Sequence, residues 1–385
     1  MKITGDWLNA PHLQSVFSLI AEGGHAAYLV GGAVRDAVLG RPVGDLDLAT
    51  DATPQQVIAL AKAAGVRCVP TGLDHGTVTL VVDGKPHEIT SFRRDVETDG
   101  RHARVAFTDD MAEDARRRDF TMNALYAAAD GTVIDPLGGL TDARAGRVRF
   151  VEDPERRIRE DYLRILRFFR FVAWFGGEAG IDPDGLAAAA RYQDGLDGIA
   201  RERIGQEMRK LLAAPDPAQT IAAMRQSGIL SRILPGSDDS ALGPLVHHEA
   251  AHQIAPDPIR RLAALGGADA PDRLRLSNAE AARLDVLRQA LGSAEAPGAL
   301  GYRHGFDTAR DILLLRAALL ESPLSEDALK LTAAGAEATF PIRAADLMPA
   351  LTGPALGAAL KALQARWVAS GFSLSRDELL KDVQK

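Results

Sequence analysis

A single cysteine, Cys68, excludes an intrachain disulfide and any thiolate metal cluster; with Val66 and Val69 beside it, it reads as a buried structural thiol. No apolar run approaches the roughly 20 residues that span a bilayer. The opening MKITGDWLNAPHLQ has no basic segment followed by an apolar stretch, so a cytoplasmic location and no membrane partner are expected. Basic excess is missing too. The 45 Lys and Arg against 52 Asp and Glu leave a formal charge of −7, which argues against coating long nucleic acid and against DNA as a partner. Arginines between residues 93 and 170 still supply a local basic groove. No repeat of fixed period is present.

What is there is ordinary in bulk and specific in one place. At 385 residues, 46% hydrophobic and 25% charged, the chain suits a globular protein of two or three domains. The run LVGGAVRDAVLGRPVGDLDLA, residues 29–49, narrows the chemistry. A short apolar strand over Tyr28, Leu29 and Val30 breaks at Gly31-Gly32 into a helix opened by Ala33, Val34, Arg35 and Asp36. Free N–H groups and a cation thus meet at one helix start, a cradle for phosphate. Downstream, Asp45-Leu46-Asp47-Leu48 alternates as a strand, with both carboxylates on one face. Two hard oxygen ligands suit Mg²⁺ shared with substrate phosphates rather than caged by protein. Phosphoryl or nucleotidyl transfer is the implied reaction.

Thr53-Pro54 caps a helix over Gln55 to Ala64. Val78 to Val82 and His87 to Phe92 flank Asp83-Gly84 as a hairpin. Arg93 to Asp110 is polar and reads as a mobile loop. Helices dominate from Asp114, with a last strand pair at Leu125 to Ala128 and Val133-Ile134. Pro154 opens a long helix on which Ile158, Tyr162, Ile165, Phe169 and Val172 share a buried face. Beyond residue 182, Ala- and Leu-rich helices alternate with breaks at 213–217, 234–239, 266–272 and 292–298.

Four segments resemble one family: the glycine run with its D-x-D, RRRDFTMNAL (116–125), REDYLRILRFFRF (159–171) and ERIGQE (202–207). Over residues 25–210 the chain is similar to bacterial class II tRNA nucleotidyltransferases, the CCA-adding enzymes, and to their relatives the bacterial poly(A) polymerases. The resemblance implies an α+β fold. A palm-like nucleotidyltransferase head with a small mixed sheet spans 1–148, a helical neck that reads the base 149–215, and a helical body and tail that hold tRNA 216–385. It implies template-independent addition of C, C and A to the tRNA 3′ end from CTP and ATP. Poly(A) polymerase, or a CC-only or A-only enzyme, is the alternative. The 93–110 segment counts against a CC-only enzyme, because the family uses that loop to switch from C to A. The basic C-terminal extension of the polymerase is not found, nor is the adjacent His-Asp pair of the phosphohydrolase domain that some relatives carry.

By the same resemblance, Asp45 and Asp47 hold two Mg²⁺ ions, and Gly32 and Arg35 meet the triphosphate; an Asp36 salt bridge is the plain alternative for Arg35. Arg118 touches the nucleotide or belongs to a solvated charge run. Asp119, and less directly Asn123, lie near the ribose, while Phe120, Met122 and Leu125 read as core. Asp161 and Arg164, at i,i+3, are neighbours on one helix. Cytosine and adenine both present an amino donor beside a ring-nitrogen acceptor, so a carboxylate beside a guanidinium pairs with C and A and leaves U and G unsatisfied. The competing reading is an ordinary ion pair. Arg167 and Arg170 continue the row, with Arg170 rotated toward phosphate, tRNA or a bracing carboxylate. Glu202, Arg203 and Glu207 brace the neck. Glu88 is either a third metal-side carboxylate or an exposed strand glutamate. His248-Glu249-Ala250-Ala251-His252 fits the H-E-x-x-H pattern of zinc proteases but lies between Pro244 and Pro256 with no evident third ligand; a solvated helix face is expected instead.

Overall fold

Among the described residues the short strands are β1 Ala27–Val30, β2 Asp47–Thr50, β3 Arg67–Gly72, β4 Thr77–Val82, β5 Lys85–Ser91, β6 Arg93–Asp99, β7 His102–Phe107, β8 Tyr126–Ala127 and β9 Val133–Ile134. The computed structural model describes residues 1–99, 102–178 and 180–381. Seven strands make one mixed sheet in the order β3-β4-β5-β2-β1-β8-β9, in which only the β2–β5 pair is parallel. The chain divides into two compact units, Met1–Leu211 with Ala223–Ile229, and Leu212–Ala222 with Leu230–Lys385.

In the first unit, α1 Pro11–Glu22, α2 Gly32–Val38, α3 Pro54–Ala63, α4 Met111–Arg116 and α5 Gly139–Ala145 accompany the sheet. Leu13, Val16 and Ile20 of α1 and Val57 and Ala61 of α3 are buried with Leu29, Leu48, Leu80 and Ile89. As the sequence indicates, Thr53 caps α3: its hydroxyl accepts from Gln56 N, and the Gln56 side chain accepts from Thr53 N. Helices α6 Pro154–Glu160, α7 Leu163–Phe175, α8 Pro183–Arg191 and α9 Arg201–Leu212 follow. Phe120 packs on Phe150 and Phe171 at ring distances of 5.0 and 4.8 Å, fixing the 116–125 segment against α7.

Four sequence expectations change. Within 93–110, where a loop was expected, β6 and β7 pair antiparallel; a charged segment satisfies its own backbone by pairing with itself. Cys68 lies on β3 at the end of the sheet and is half-exposed, not buried. Strand β2 begins at Asp47, with Asp45 ahead of it, because the ladder to β5 starts at Asp47 and that to β1 at Leu48. The helix expected from Pro154 breaks at Asp161, whose φ of −154° and ψ of 106° are extended and whose carboxylate accepts from Leu163 N to start α7.

The second unit is helical: α10 Ala218–Gln226 starts in it, and α11 Ile229–Ile233 ends in it. It continues with α12 Leu242–Ala251, α13 Pro258–Leu265, α14 Ala270–Arg273, α15 Asn278–Leu291, α16 Pro297–His304, α17 Phe306–Leu319, α18 Glu326–Glu337, α19 Gly353–Ala369 and α20 Arg376–Leu380. Trp367, Leu363, Ile342, Leu347 and Leu379 form a small core near its end. Glu249 of the H-E-x-x-H run is no solvated group: it is buried, and its two oxygens accept from Arg260 (2.7 Å) and Arg261 (2.7 Å). Among the described residues no three His, Cys, Asp or Glu gather to hold a metal, and no helix is long and apolar enough to cross a membrane.

Candidate active site

The turn between β1 and α2 is built on Gly31, whose φ of 68° and ψ of −123° suit only a residue without Cβ. Its N–H donates to Leu125 O and its C=O accepts from Arg35 N, so the turn is anchored on both sides. No side chain caps the first turn of α2, whose leading N–H groups lack intrahelical partners by geometry. At Gly32 a Cβ would meet nothing closer than Arg35 Nη2 at 3.7 Å; the glycine leaves the approach open.

Beside this turn, the β1–β2 ladder reaches the Leu29–Leu48 pair, and Asp47 stands just past it. Both Asp45 and Asp47 are exposed, while Leu48 is buried. Partial withdrawal from solvent, then the charge of Asp45, push the Asp47 carboxyl above its ordinary value against the pull of Arg118. The pair therefore forms one local negative field beside the glycine turn. Glu88 lies in register with Asp47 across the parallel β2–β5 ladder, on the same face, and is exposed.

Arg118 reaches the same place, with Nη1 3.7 Å from where a Gly31 Cβ would stand. It is no solvated charge: its Nη2 donates to Asp114 Oδ2 (2.9 Å) and its Nε to the Tyr126 hydroxyl (3.2 Å), which itself donates to Asp114 at 2.6 Å. Burial works to raise the Asp114 carboxyl, but Arg117, Arg118 and Tyr126 together hold it below its ordinary value. Asp114 went unassigned in the sequence, although its i,i+3 and i,i+4 spacing to Arg117 and Arg118, just past the end of α4, was a usable signal.

Arg35 forms the plain alternative, the Asp36 salt bridge, and is buried. Its Nε donates to Asp36 (2.9 Å) and Nη1 to Asn123 Oδ1 (2.7 Å), and its guanidinium lies 4.0 Å from the Phe175 ring centre. Asn123 donates in turn to Asp119 (2.9 Å), which accepts Arg167 Nε (2.9 Å). Burial works to raise Asp119, yet Arg167, Asn123 and the Phe120 N–H bring it down to about 2.

Asp161 and Arg164 are not stacked on one helix, since the break at Asp161 separates them. Asp161 Oδ2 accepts from Arg203 at 2.7 Å. Arg164 Nη1 donates to Glu160 (2.6 Å) and to Arg157 O (2.9 Å), and Glu160 also accepts from Arg157. Neither is satisfied by the other, so the simple i,i+3 ion pair does not form. Arg170 pairs with Glu207 at 2.6 Å, the bracing carboxylate. Glu160, Arg157 and Asp114 are the members sequence reasoning missed.

Residues 27–149 match the family described as the poly A polymerase head domain, and residues 180–240 the one described as a probable RNA and SrmB-binding site of polymerase A. The mitochondrial CCA tRNA nucleotidyltransferase 1 of Danio rerio is 33% identical over 381 residues, 93% of this chain and 86% of its own length. The CCA-adding enzyme of Geobacillus stearothermophilus is 40% identical over 223 residues, 57% of this chain and 54% of its own. The solved Bacillus stearothermophilus CCA-adding enzyme in complex with CTP superposes with a TM-score of 0.72 at 28% identity, covering 97% of this chain and 98% of that one. Likeness of this order along nearly the whole sequence, joined to a carboxylate pair beside a glycine turn, places the chain in the family of CCA-adding tRNA nucleotidyltransferases.

Proposed function

We propose that this protein adds C, C and A to the 3′ end of tRNA, taking CTP and ATP and releasing pyrophosphate. The 3′-hydroxyl oxygen bonds to the α-phosphorus, the bond to the β-phosphate bridge breaks, and the hydroxyl proton leaves to solvent. The observation that carries this reading is the exposed Asp45–Asp47 pair at the start of β2, next to the Gly31 turn. Two carboxylates two residues apart, one on the first residue of β2 and one just ahead of it, fit a divalent cation that keeps open positions for substrate oxygens. Mg²⁺ is the assignment, with Asp45 and Asp47 as its ligands. When bound, the ions acidify the hydroxyl and offset charge on the departing pyrophosphate.

The chain's own residues do the rest. The Gly31-Gly32 turn seats the triphosphate, with Arg118 presented by Asp114 and Tyr126, and Arg35 behind the turn. Asp161 and Arg164 read the base. Both Arg164 bonds run through Nη1, so Nε and Nη2 are the atoms that meet a ring acceptor. Asp161, with about four lone-pair sites, accepts an amino group beside Arg203. Prior fixing of both groups limits the ordering cost at binding. Arg167 and Arg170 hold this helix through Asp119 and Glu207 and face the nucleotide from there.

Extension of a tRNA that lacks CCA, with each triphosphate alone and all together, tests the proposal. The expected products are two additions from CTP alone and three from CTP with ATP. Long A tails on unrelated RNA would establish the poly(A) alternative, and arrest after two C with ATP present would establish a CC-only enzyme.

A further inference from the structure

The 116–125 segment carries one polar side chain that touches both ends of the site. Asn123 donates through Nδ2 to Asp119 Oδ1 (2.9 Å) and accepts through Oδ1 from Arg35 Nη1 (2.7 Å). Asn123, Asp119 and Arg35 are each 8% exposed. Beyond Asp119 stands Arg167 of α7, and beyond Arg35 stand Asp36 and the glycine turn. The result is an unbroken hydrogen-bonded path, Arg167–Asp119–Asn123–Arg35–Asp36, buried at its three middle members, from the base-reading helix to the phosphate cradle. Phe175, at the end of the same α7, lies under the Arg35 guanidinium, so the two ends are tied a second time.

We propose that Asn123 is a positioning residue that sets the spacing between the triphosphate seat and the base-reading helix. The proposal rests on the placement of Arg35 at the phosphate end and of Arg167 and Arg164 at the base end. The chemistry at this position is narrow. Its neighbours are a carboxylate that needs a donor and a guanidinium that needs an acceptor, and a short neutral amide offers both. Leucine of similar size offers neither. Aspartate keeps the acceptor for Arg35 but sets a second carboxylate against Asp119, where like charges repel and the Asp119–Arg167 geometry shifts. The groups facing this position are Asp119, Arg35, Arg167 and Asp36, with Arg170 acting on Arg35 through its charge.

The two substitutions therefore separate the two ends, and the readouts are KM for CTP and the ratio of kcat/KM for CTP over UTP. Neither depends on what fraction of the protein is folded, so a loss of stability alone moves neither. Asn123→Leu is expected to raise KM for CTP and to lower the CTP/UTP ratio, each about tenfold, the scale of one lost charge-assisted hydrogen bond. Asn123→Asp is expected to lower the ratio by a similar factor while KM stays within about twofold, since its bond to Arg35 survives. Wild-type KM and ratio in both variants, with only Vmax and melting temperature reduced, would overturn the proposal. Arg35→Ala serves as the companion: a raised KM there, with Asn123→Leu unchanged, rejects the role of Asn123. An unchanged KM in Arg35→Ala rejects instead the phosphate-end assignment on which it rests.

Discussion

Asp119 accepts Arg167 through both Nε, at 2.9 Å, and Nη2, joining the segment that follows α4 to α7. The carboxylate is almost wholly buried and is held down at about 2. Its folded value lies below the unfolded one, near 3.9. The stabilisation is therefore complete above about pH 4 and is lost as pH falls through about 2. The shift corresponds to about 2 kcal/mol. Urea unfolding followed from neutral pH into this acid range is expected to show that loss, and Asp119→Asn to remove it. An identical acid dependence in the variant would dissociate Asp119 from it.

The Asp47 carboxyl behaves in the opposite direction. Burial and Asp45 raise it, so it takes up a proton at higher pH than an ordinary carboxylate. A protonated carboxyl is a poor metal ligand, and metal and proton compete for it. Activity should thus fall on the acid side above the ordinary carboxylate range, and added Mg²⁺ should move that limb to lower pH. Asp47→Asn is expected to lower kcat by at least about a hundredfold, with chelator abolishing turnover of the native enzyme. An acid limb indifferent to Mg²⁺ concentration would count against metal at this pair.

Arg164 offers a test of base choice. Replacing it by alanine removes the donor proposed for cytosine N3, while the glycine turn and Arg118 are untouched. Discrimination between CTP and UTP should drop by about one to two orders of magnitude, with inhibition by free pyrophosphate little changed. Preserved discrimination would move base reading elsewhere.

Patterns local in the chain carried most of this fold and site to the surface. The Gly31 turn, the Thr53 cap and the Asp83-Gly84 hairpin depend on residues a few positions apart, and each stands where its local chemistry puts it. What depends on distant partners stayed hidden. Continuous helical periodicity from Ile158 to Val172 gave no sign that Asp161 breaks the helix to bond Leu163 N and Arg203. Nothing in RRRDFTMNAL reveals that Arg35, 88 positions earlier, meets the Asn123 oxygen. Glu249 looked solvated for the same reason: its arginine partners follow 11 and 12 residues later on another helix.

Glu249 closes the set, because the protease-like pattern around it predicts metal and the structure predicts stability. Its oxygens accept from Arg260 and Arg261, both almost wholly buried. Arg260 also pairs with Asp311 at 2.7 Å, and Arg261 caps the carbonyls of Leu212, Ala214 and Pro215. Removing the one carboxylate leaves two guanidinium groups short of counter-charge in the interior, a loss of about 3–5 kcal/mol. Glu249→Ala should lower the urea midpoint accordingly, while His248→Ala, on a half-buried side chain outside this network, should change it by less than about 1 kcal/mol. Zinc at His248 and His252 would reverse the pattern. A chelator would then destabilise the native protein, and His248→Ala would be as damaging as Glu249→Ala. The ion-pair network instead predicts a melting temperature unmoved by chelator.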